Sequence, residues 1–519
     1  MTSKMKDMKQ YVHELEEKKK KIMLGGGIDA IKKQHEAGKL TARERINKLL
    51  DPDSFIEIDI FVKHRCTWFG MDKKDVPADA VITGYGKING RTVFIYAQDF
   101  TSMGGTFAEM HAKKIIKLYD LAMKVGAPII GIFDSGGARI QECQDSLSYY
   151  GKYFYKIVQA SGVIPQIALE MGPCAGGQAY APALMDFIFM VKGTSYTFIA
   201  GPPLVKAVTG EEISVEDLGG VEVHASISGV ADIVTSNDEE CLIKARELLS
   251  YLPSNFKEKP IRIETNDPVD RMIPELEEIV PTERNKSYDM YEVIKKIVDN
   301  GKIFDIKPDF AKNIITCFSR IGGYSVGIVA NQPKVMAGAI DVDASDKASR
   351  FIRFCDAFNI PLIQLVDTPA FLIGSKMEKM GIIRHGAKML YAYSEATVPK
   401  ITIIIRKAYA GGYLAMCSKD LGADQVYAWP TAEIALVGPE AAASILYKDL
   451  LKKGDYEKLK EKTIEYIEEF CNPYVAAQRG YIDDVIKPRE TRKRIYDALE
   501  MLKNKEENPP IKKHGNMPV

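Results

Sequence analysis

Apolar and polar positions follow two different rhythms along this chain of 519 residues. Residues 1–50 repeat at helical spacing with Lys/Glu-rich faces and are interrupted at Gly25-Gly26-Gly27, which predicts helices broken at a glycine turn. Beyond them, short runs rich in β-branched residues alternate with amphipathic stretches. The runs include Thr92–Ala97, Pro128–Phe133, Ile164–Glu170, Pro361–Val366 and Ile401–Ile405. This alternation predicts an α/β architecture. A polar, Pro-containing stretch from Pro253 to Pro281 separates the halves and is the linker candidate. The length suits two domains of roughly 200–250 residues.

The halves repeat one another at offsets of 233–237 residues. Gly90-Arg91-Thr92-Val93 matches Gly323-Tyr324-Ser325-Val326, and Lys113–Asp120 matches Arg350–Asp356. Ala127–Asp134 matches Ile360–Asp367, Ala175-Gly176-Gly177 matches Ala410-Gly411-Gly412, and Phe198–Pro202 matches Ala435–Pro439. Each match alone is weak. Five in one order indicate a domain duplication, because the period is too long for a solenoid.

Composition then removes function classes. Hydrophobic residues are 46% and charged residues 27% of the chain, with a net charge of zero, so nothing points to nucleic acid or an anionic membrane. Lys18–Lys21 follows Glu14, Glu16 and Glu17 and reads as a solvated helix face. The eight cysteines form no CxxC pair and the seven histidines no HExxH pattern, so no metal site is expected. Scattered free cysteines suit a reduced, cytoplasmic setting. No run reaches the ~18 apolar residues of a membrane span, and no signal-peptide core opens the chain. Insertion into a membrane is therefore not expected.

What the residues do offer is glycine turns placed after strands. Gly172–Gly177 follows a β-rich run and precedes a helical pattern; Arg406–Gly412 does the same in the second half. Glycine allows close backbone approach and φ > 0. N–H groups free at a helix start favour negative charge and are suited to hold a developing oxyanion. Tight strand–helix packing is the other explanation for such glycines, and the duplication tips the balance towards the oxyanion. Asp134-Ser135-Gly136-Gly137-Ala138-Arg139 is a further glycine turn able to cradle a phosphate or a thioester carbonyl, although it lacks the Lys-Ser/Thr of a P-loop. His111, His224 and His385 stand alone and read as structural. Ala122-Met123-Lys124-Val125 imitates a biotin-carrying turn, but it ends a helical pattern before a buried strand, so Lys124 is not expected to carry biotin.

Gly38–Ile46 with Leu49-Leu50-Asp51, Asp134–Arg139, Gly172–Gly177, Val208–Glu211 and Leu218-Gly219-Gly220 resemble the β (carboxyltransferase) subunits of biotin-dependent acyl-CoA carboxylases. So do Ala330–Pro333, Arg350–Pro361, Arg406–Tyr409, Asn472-Pro473-Tyr474 and Arg479–Asp483. The resemblance spans nearly the whole chain and extends to methylmalonyl-CoA decarboxylase α subunits. It implies two tandem crotonase-like domains: an N-terminal carboxyltransferase domain over residues 1–255 on the acyl-CoA side, a linker over 256–280, and a C-terminal domain over 281–519 on the biotin side. By position, Gly176 and Gly177 would hold the thioester enolate oxygen and Gly411 and Gly412 the ureido oxyanion of biotin. Ser135, Gly136, Gly137, Ala138, Arg139, Ala175 and Gly201 would line the acyl-CoA. Ala370, Phe371, Tyr409, Ala410, Leu414 and Gly438 would line biotin, which a biotin carboxyl carrier protein would bring from a biotin carboxylase subunit. A ring-stacked homo-hexamer is also implied, with each site between the N-terminal domain of one subunit and the C-terminal domain of another.

The chain departs from the family pattern where Gly-Gly-Ala reads Ala410-Gly411-Gly412, where Asp reads Leu414, and where Pro-Gly-Phe-Leu-Pro-Gly reads Pro369–Gly374. Leu414-Ala415-Met416 looks more like the decarboxylase branch or archaeal bifunctional carboxylases. Three readings stay open: a carboxylase acting on propionyl-CoA, acetyl-CoA or both, a decarboxylase subunit running the reverse transfer, and a non-catalytic assembly scaffold, against which both retained glycine pairs argue.

Overall fold

The computed structural model describes residues 6–519. They form two compact units that divide after Lys257. The first unit opens with helices Met8–Met23, Ile28–Glu36 and Ala42–Leu49. Asp7 and Thr41 cap two of them, each in a reciprocal capping box with Gln10 and Glu44. The glycine break between the first two helices is a close approach: a Cβ on Gly26 would lie 1.7 Å from the Thr101 carbonyl oxygen.

The sheet of the first unit contains β1 (Ile56–Ile58), β2 (Val81–Ile88), β3 (Arg91–Gln98), β4 (Ile129–Ser135), β5 (Gln166–Ala175), β6 (Phe187–Val191), β7 (Tyr196–Phe198) and β8 (Ile233–Thr235). Its order is β1-β2-β3-β4-β5-β6-β8, with β7 paired to the far end of β5. Strands β3 to β6 are parallel. Helices Glu109–Val125 and Cys143–Ala160 make the crossovers into β4 and β5. Both present apolar faces to one core, in which Ile115, Leu118, Tyr119, Tyr153 and Ile157 pack against Phe94, Tyr96, Ile129 and Phe133 of the sheet. Lys124 sits in the last turn of the first of these helices, the place the helical pattern assigns it.

The second unit repeats this plan. Its strands are β9 (Ile303–Ile306), β10 (Ile314–Ile321), β11 (Tyr324–Asn331), β12 (Leu362–Thr368), β13 (Lys400–Tyr409), β14 (Gln425–Ala428), β15 (Glu433–Ala435) and β16 (Asp484–Val485). The order β9-β10-β11-β12-β13-β14-β16, with β15 off β13, mirrors the first sheet strand for strand. The irregularities repeat as well. The β4–β5 register shifts between Phe133 and Ser135, and the β12–β13 register between Val366 and Thr368. The stretch from 258 to 280 runs over the second unit, where Ile273, Leu276 and Val280 are buried in its core. Among the described residues no helix is long and apolar enough to cross a membrane.

Because the two sheets share a register, each half serves as a control for the other. Phe133 pairs with Glu170 and Val366 with Ile404, so Glu170 and Ile404 hold the same place. Glu170 is fully buried and neither carboxyl oxygen has a hydrogen-bond partner. Its desolvation raises the carboxyl from 4.5 to about 8. Folding therefore takes up a proton at neutral pH. The stability is full below about 4.5 and is lost as pH rises towards about 8. Glu170→Ile is expected to remove this slope and to raise stability at pH 7 by roughly 1–3 kcal/mol. Urea midpoints at pH 5, 7 and 8 read it; identical slopes in both proteins would show that Glu170 is not the titrating group.

Candidate functional site

Strand β5 does not stop before the glycine turn, as the β-rich run ending at Glu170 suggests, but continues through Pro173 and Cys174, which pair with Tyr196 and Thr197 of β7. The chain then turns at Gly176, with φ 64° and ψ −127°, and enters helix Gly177–Leu184. A residue with a Cβ is strained in that conformation. The N–H of Gly176 donates to the Phe198 carbonyl at 3.0 Å. The N–H groups of Gly177 and Gln178 open the helix and have no carbonyl four residues back. A Cβ on Gly177 would lie 3.0 Å from the Tyr150 ring.

Beside this turn runs the loop that leaves β4. The Phe107 N–H donates to the Gly137 carbonyl at 2.9 Å, and the Arg139 N–H donates to the Phe107 carbonyl at 2.8 Å. Phe107 and Ala138 thus form a parallel bridge, which leaves the Ala138 N–H on the side facing away from Phe107. Ser135 Oγ accepts the Gly137 N–H at 3.1 Å, and Gly136 N–H donates to Gly104 at 2.9 Å. Gly137 approaches Ala175 so closely that a Cβ would lie 3.0 Å from the Ala175 carbonyl oxygen. Ser135, Gly136, Gly137, Ala138, Ala175, Gly176 and Gly177 are therefore brought together. Gly201 stands slightly apart, N-terminal to helix Pro202–Thr209.

Arg139 behaves differently from the expectation that it faces acyl-CoA. Its guanidinium is fully buried, paired with Asp79 and with Glu142 at 2.8 Å, and it donates to the Thr106 carbonyl at 3.0 Å. With its donors committed inside the unit, Arg139 fixes the shape of the loop. His111 packs in the same cluster, and burial together with the Arg139 charge holds it neutral, well below the ordinary histidine range. That agrees with a structural role.

The second unit repeats the arrangement. Ile340 N–H donates to Ala370 at 3.1 Å and Leu372 N–H donates to Ile340 at 2.8 Å, which turns the Phe371 N–H away from the bridge. The strand register pairs Pro173 with Tyr196 and Lys407 with Glu433, so Ala175 corresponds to Tyr409 and Gly176 to Ala410. Matching the letters Ala-Gly-Gly therefore aligns the two turns one residue out. Ala410 adopts the positive φ, 51°, that Gly176 adopts in the first unit. Gly411 corresponds to Gly177, and a Cβ there would meet the Phe371 ring at an ordinary 3.5 Å. Gly412 is closed in: its Cβ would lie 2.8 Å from the Ala370 Cα, so here a glycine also serves packing. Tyr409 OH donates to Glu433 and accepts from Arg284 at 3.0 Å. Gly438 lies against the Tyr409 ring and starts helix Pro439–Leu446. Ala410, Gly411 and Leu414 open onto a cavity of about 650 Å³ whose walls include Tyr466 and Phe470. The bridge anchors Phe107 and Ile340 and the arginine Arg284 lie outside the sequence motifs, because only strand pairing brings them to the turns.

The carboxyl transferase domain family model matches residues 33–517. The chain is 57% identical over 515 residues to the methylmalonyl-CoA decarboxylase subunit alpha of Veillonella parvula, covering 99% of this chain and 100% of that one. It is 53% identical to the propionyl-CoA carboxylase beta chain of Roseobacter denitrificans, with 99% and 100% coverage. A crystal structure of transcarboxylase 12S, a hexamer with hydrolysed methylmalonyl-coenzyme A bound, superimposes with a TM-score of 0.97 at 52% identity, over 99% of this chain and 100% of that chain.

The positive φ at Ala410 carries a cost that glycine avoids. Ala410→Gly is expected to raise stability by up to about 1 kcal/mol, read from the urea midpoint. A lower midpoint would mean that the left-handed turn is not strained.

Proposed function

We propose that this chain, which belongs to the carboxyl transferase domain family, moves a carboxyl group from carboxybiotin on a separate carrier protein to the α-carbon of propionyl-CoA, acetyl-CoA or both. The observation that carries the reading is the paired construction of the two turns: two sheets of one topology each present a strand-end helix start beside a bridged loop. The reaction needs two such places, because negative charge develops on the thioester oxygen as the α-carbon loses its proton and on the ureido oxygen as the carboxyl group leaves.

In the first unit, the surrounding hydrogen bonds leave the N–H groups of Ala138 and Gly177 free on either side of the turn, with that of Gln178 next along the helix. We assign the first two to the thioester oxygen, with Gly176 setting the turn and Ser135, Gly136, Gly137, Ala175 and Gly201 framing the acyl-CoA. In the second unit, the N–H groups of Phe371, Gly411 and Gly412 take the ureido oxygen, and Ala370, Tyr409, Ala410, Leu414 and Gly438 shape the place for the ring. The apolar cavity of about 650 Å³ beside Gly411 suits a neutral bicyclic ring. Carboxybiotin supplies the carboxyl group and, once this has left, the base for the α-proton. The side chains of the chain then need only bind, orient and exclude water.

Each unit is read as a crotonase-like domain, and the assembly as a homo-hexamer. Ile140, Ile199 and Val208 of the first unit and their equivalents Ile373, Leu436 and Ile445 are each at least 69% exposed. Matched apolar residues around both turns call for cover by another copy of the chain. A biotin carboxylase and its carrier protein are the partners of this reading, and the eight free thiols suit the cytoplasm. A second reading, the alpha subunit of a methylmalonyl-CoA decarboxylase running the transfer in reverse, is favoured by Leu414 and by the 57% identity to such a subunit.

Mixing the chain with a carboxybiotin donor and propionyl-CoA or acetyl-CoA is expected to yield the carboxylated thioester. No transfer in either direction from an intact oligomer would overturn the reading. Gly177→Val and Gly411→Val are each expected to lower kcat by about 10²–10³-fold without dissociating the oligomer on size exclusion; full activity in both would refute the N–H assignment. Substitutions of Leu414, which lines the cavity, are expected to change the acetyl-CoA to propionyl-CoA preference in kcat/KM. A constant ratio across Leu414→Ala, Asp and Phe would remove Leu414 from selectivity.

A further inference from the structure

The cavity beside Gly411 has one charged residue in its lining. Its other walls are aliphatic, aromatic or backbone, including Leu414, Ile434, Leu436, Tyr466 and Phe470, whereas Arg479 reaches it from the end of helix Pro473–Gln478. Two Arg residues near the turn, Arg284 and Arg406, are committed inside the unit: Arg284 to Glu433 and Glu440, and Arg406 to Asp367. Among the described residues Arg479 has no carboxylate partner, and its side chain is exposed at the cavity mouth. A guanidinium presents five donors and no acceptor, and it holds its charge at every working pH. Its fork matches a planar carboxylate with two parallel charge-assisted bonds.

We propose that Arg479 is the carboxylate-recognising residue of this cavity, through which the second unit distinguishes a carboxylated ring from the same ring without its carboxyl group. The inference rests on the proposed carboxyl transfer and adds a discriminating residue to it. The ring itself is neutral and fits the apolar walls. The transferable group is a planar anion, matched to the fork of the guanidinium. A spent ring then loses its strongest polar contact and leaves, whereas the loaded ring is retained. Run in reverse, the same contact draws the newly formed carboxylate into place. Arg479 acts by binding and takes no part in bond making.

The test uses the intact oligomer and two stable probes: a biotin amide with an N-carboxymethyl group, which bears a carboxylate, and the methyl ester of that compound, which does not. The wild-type protein is expected to bind the acid about tenfold or more tightly than the ester, as a charge-assisted bond of ordinary strength allows. Arg479→Gln is expected to bring the two affinities together while leaving the ester unchanged, and Arg479→Lys to restore part of the preference. Equal acid-to-ester ratios in wild type and Arg479→Gln would overturn the proposal, as would failure of both probes to bind. The wild-type transfer assay reports separately on carboxyl transfer itself, so transfer with an unchanged Arg479→Gln ratio discards Arg479 alone.

Discussion

Both turns depend on a buried carboxylate at the end of the strand that feeds the neighbouring loop. Asp134 and Asp367 are the penultimate residues of β4 and β12, and both are fully buried. A charge in that position is tolerable only when it is paired and hydrogen-bonded. Asp134 is held by Arg45 at 2.8 Å, Lys39 at 2.8 Å and Gln34 at 2.9 Å, three residues of the N-terminal helical segment. Asp367 is held by Arg406 at 3.1 Å and by the Lys407 N–H at 3.1 Å. Burial still pushes the Asp367 carboxyl up, against the pull of Arg406.

The counter-charges come from different places because one position differs. By strand register, Gly172 of β5 corresponds to Arg406 of β13. In the second unit the arginine beside the aspartate is supplied by the sheet. In the first unit the Asp134 carboxylate itself lies against Gly172, where a Cβ would be 2.0 Å from Oδ1. Its counter-charges, Arg45 and Lys39, reach it from outside the sheet, so the helices of residues 28–49 complete the first unit and do more than decorate it. Arg45 also reaches Asp238 at 2.8 Å and the Met171 carbonyl at 2.8 Å, which joins the helices, β5 and helix Asp238–Tyr251 at one point.

Duplication preserved the frame and allowed the chemistry of single positions to drift. The strand order, the register shifts and the bridges repeat, because each is set by backbone pairing. Glu170 against Ile404 and Gly176 against Ala410 differ, since the pairing constrains the backbone and not the side chain at those positions. Alanine at 410 holds a left-handed φ that glycine holds at 176, so backbone conformation persisted where the residue did not.

The α/β class, the glycine turns after strands and the duplication are legible in the residues alone, since hydrophobic rhythm and glycine both act locally or repeat in order. The strands lie where the β-rich runs fall, although β5 extends five residues further and β13 four, because pairing with β7 and β15 carries them on, in β5 against the breaking tendency of Gly172 and Pro173. Letter matching aligned the second turn one residue out, since identical glycines at 411 and 412 hide which one stands where Gly177 does. Folding in three dimensions makes Arg139 an internal brace, commits the Gly176 N–H to Phe198, and sets Gly412 against Ala370. Those outcomes turn on hydrogen bonds and contacts between segments far apart in the chain, whose geometry no local pattern encodes.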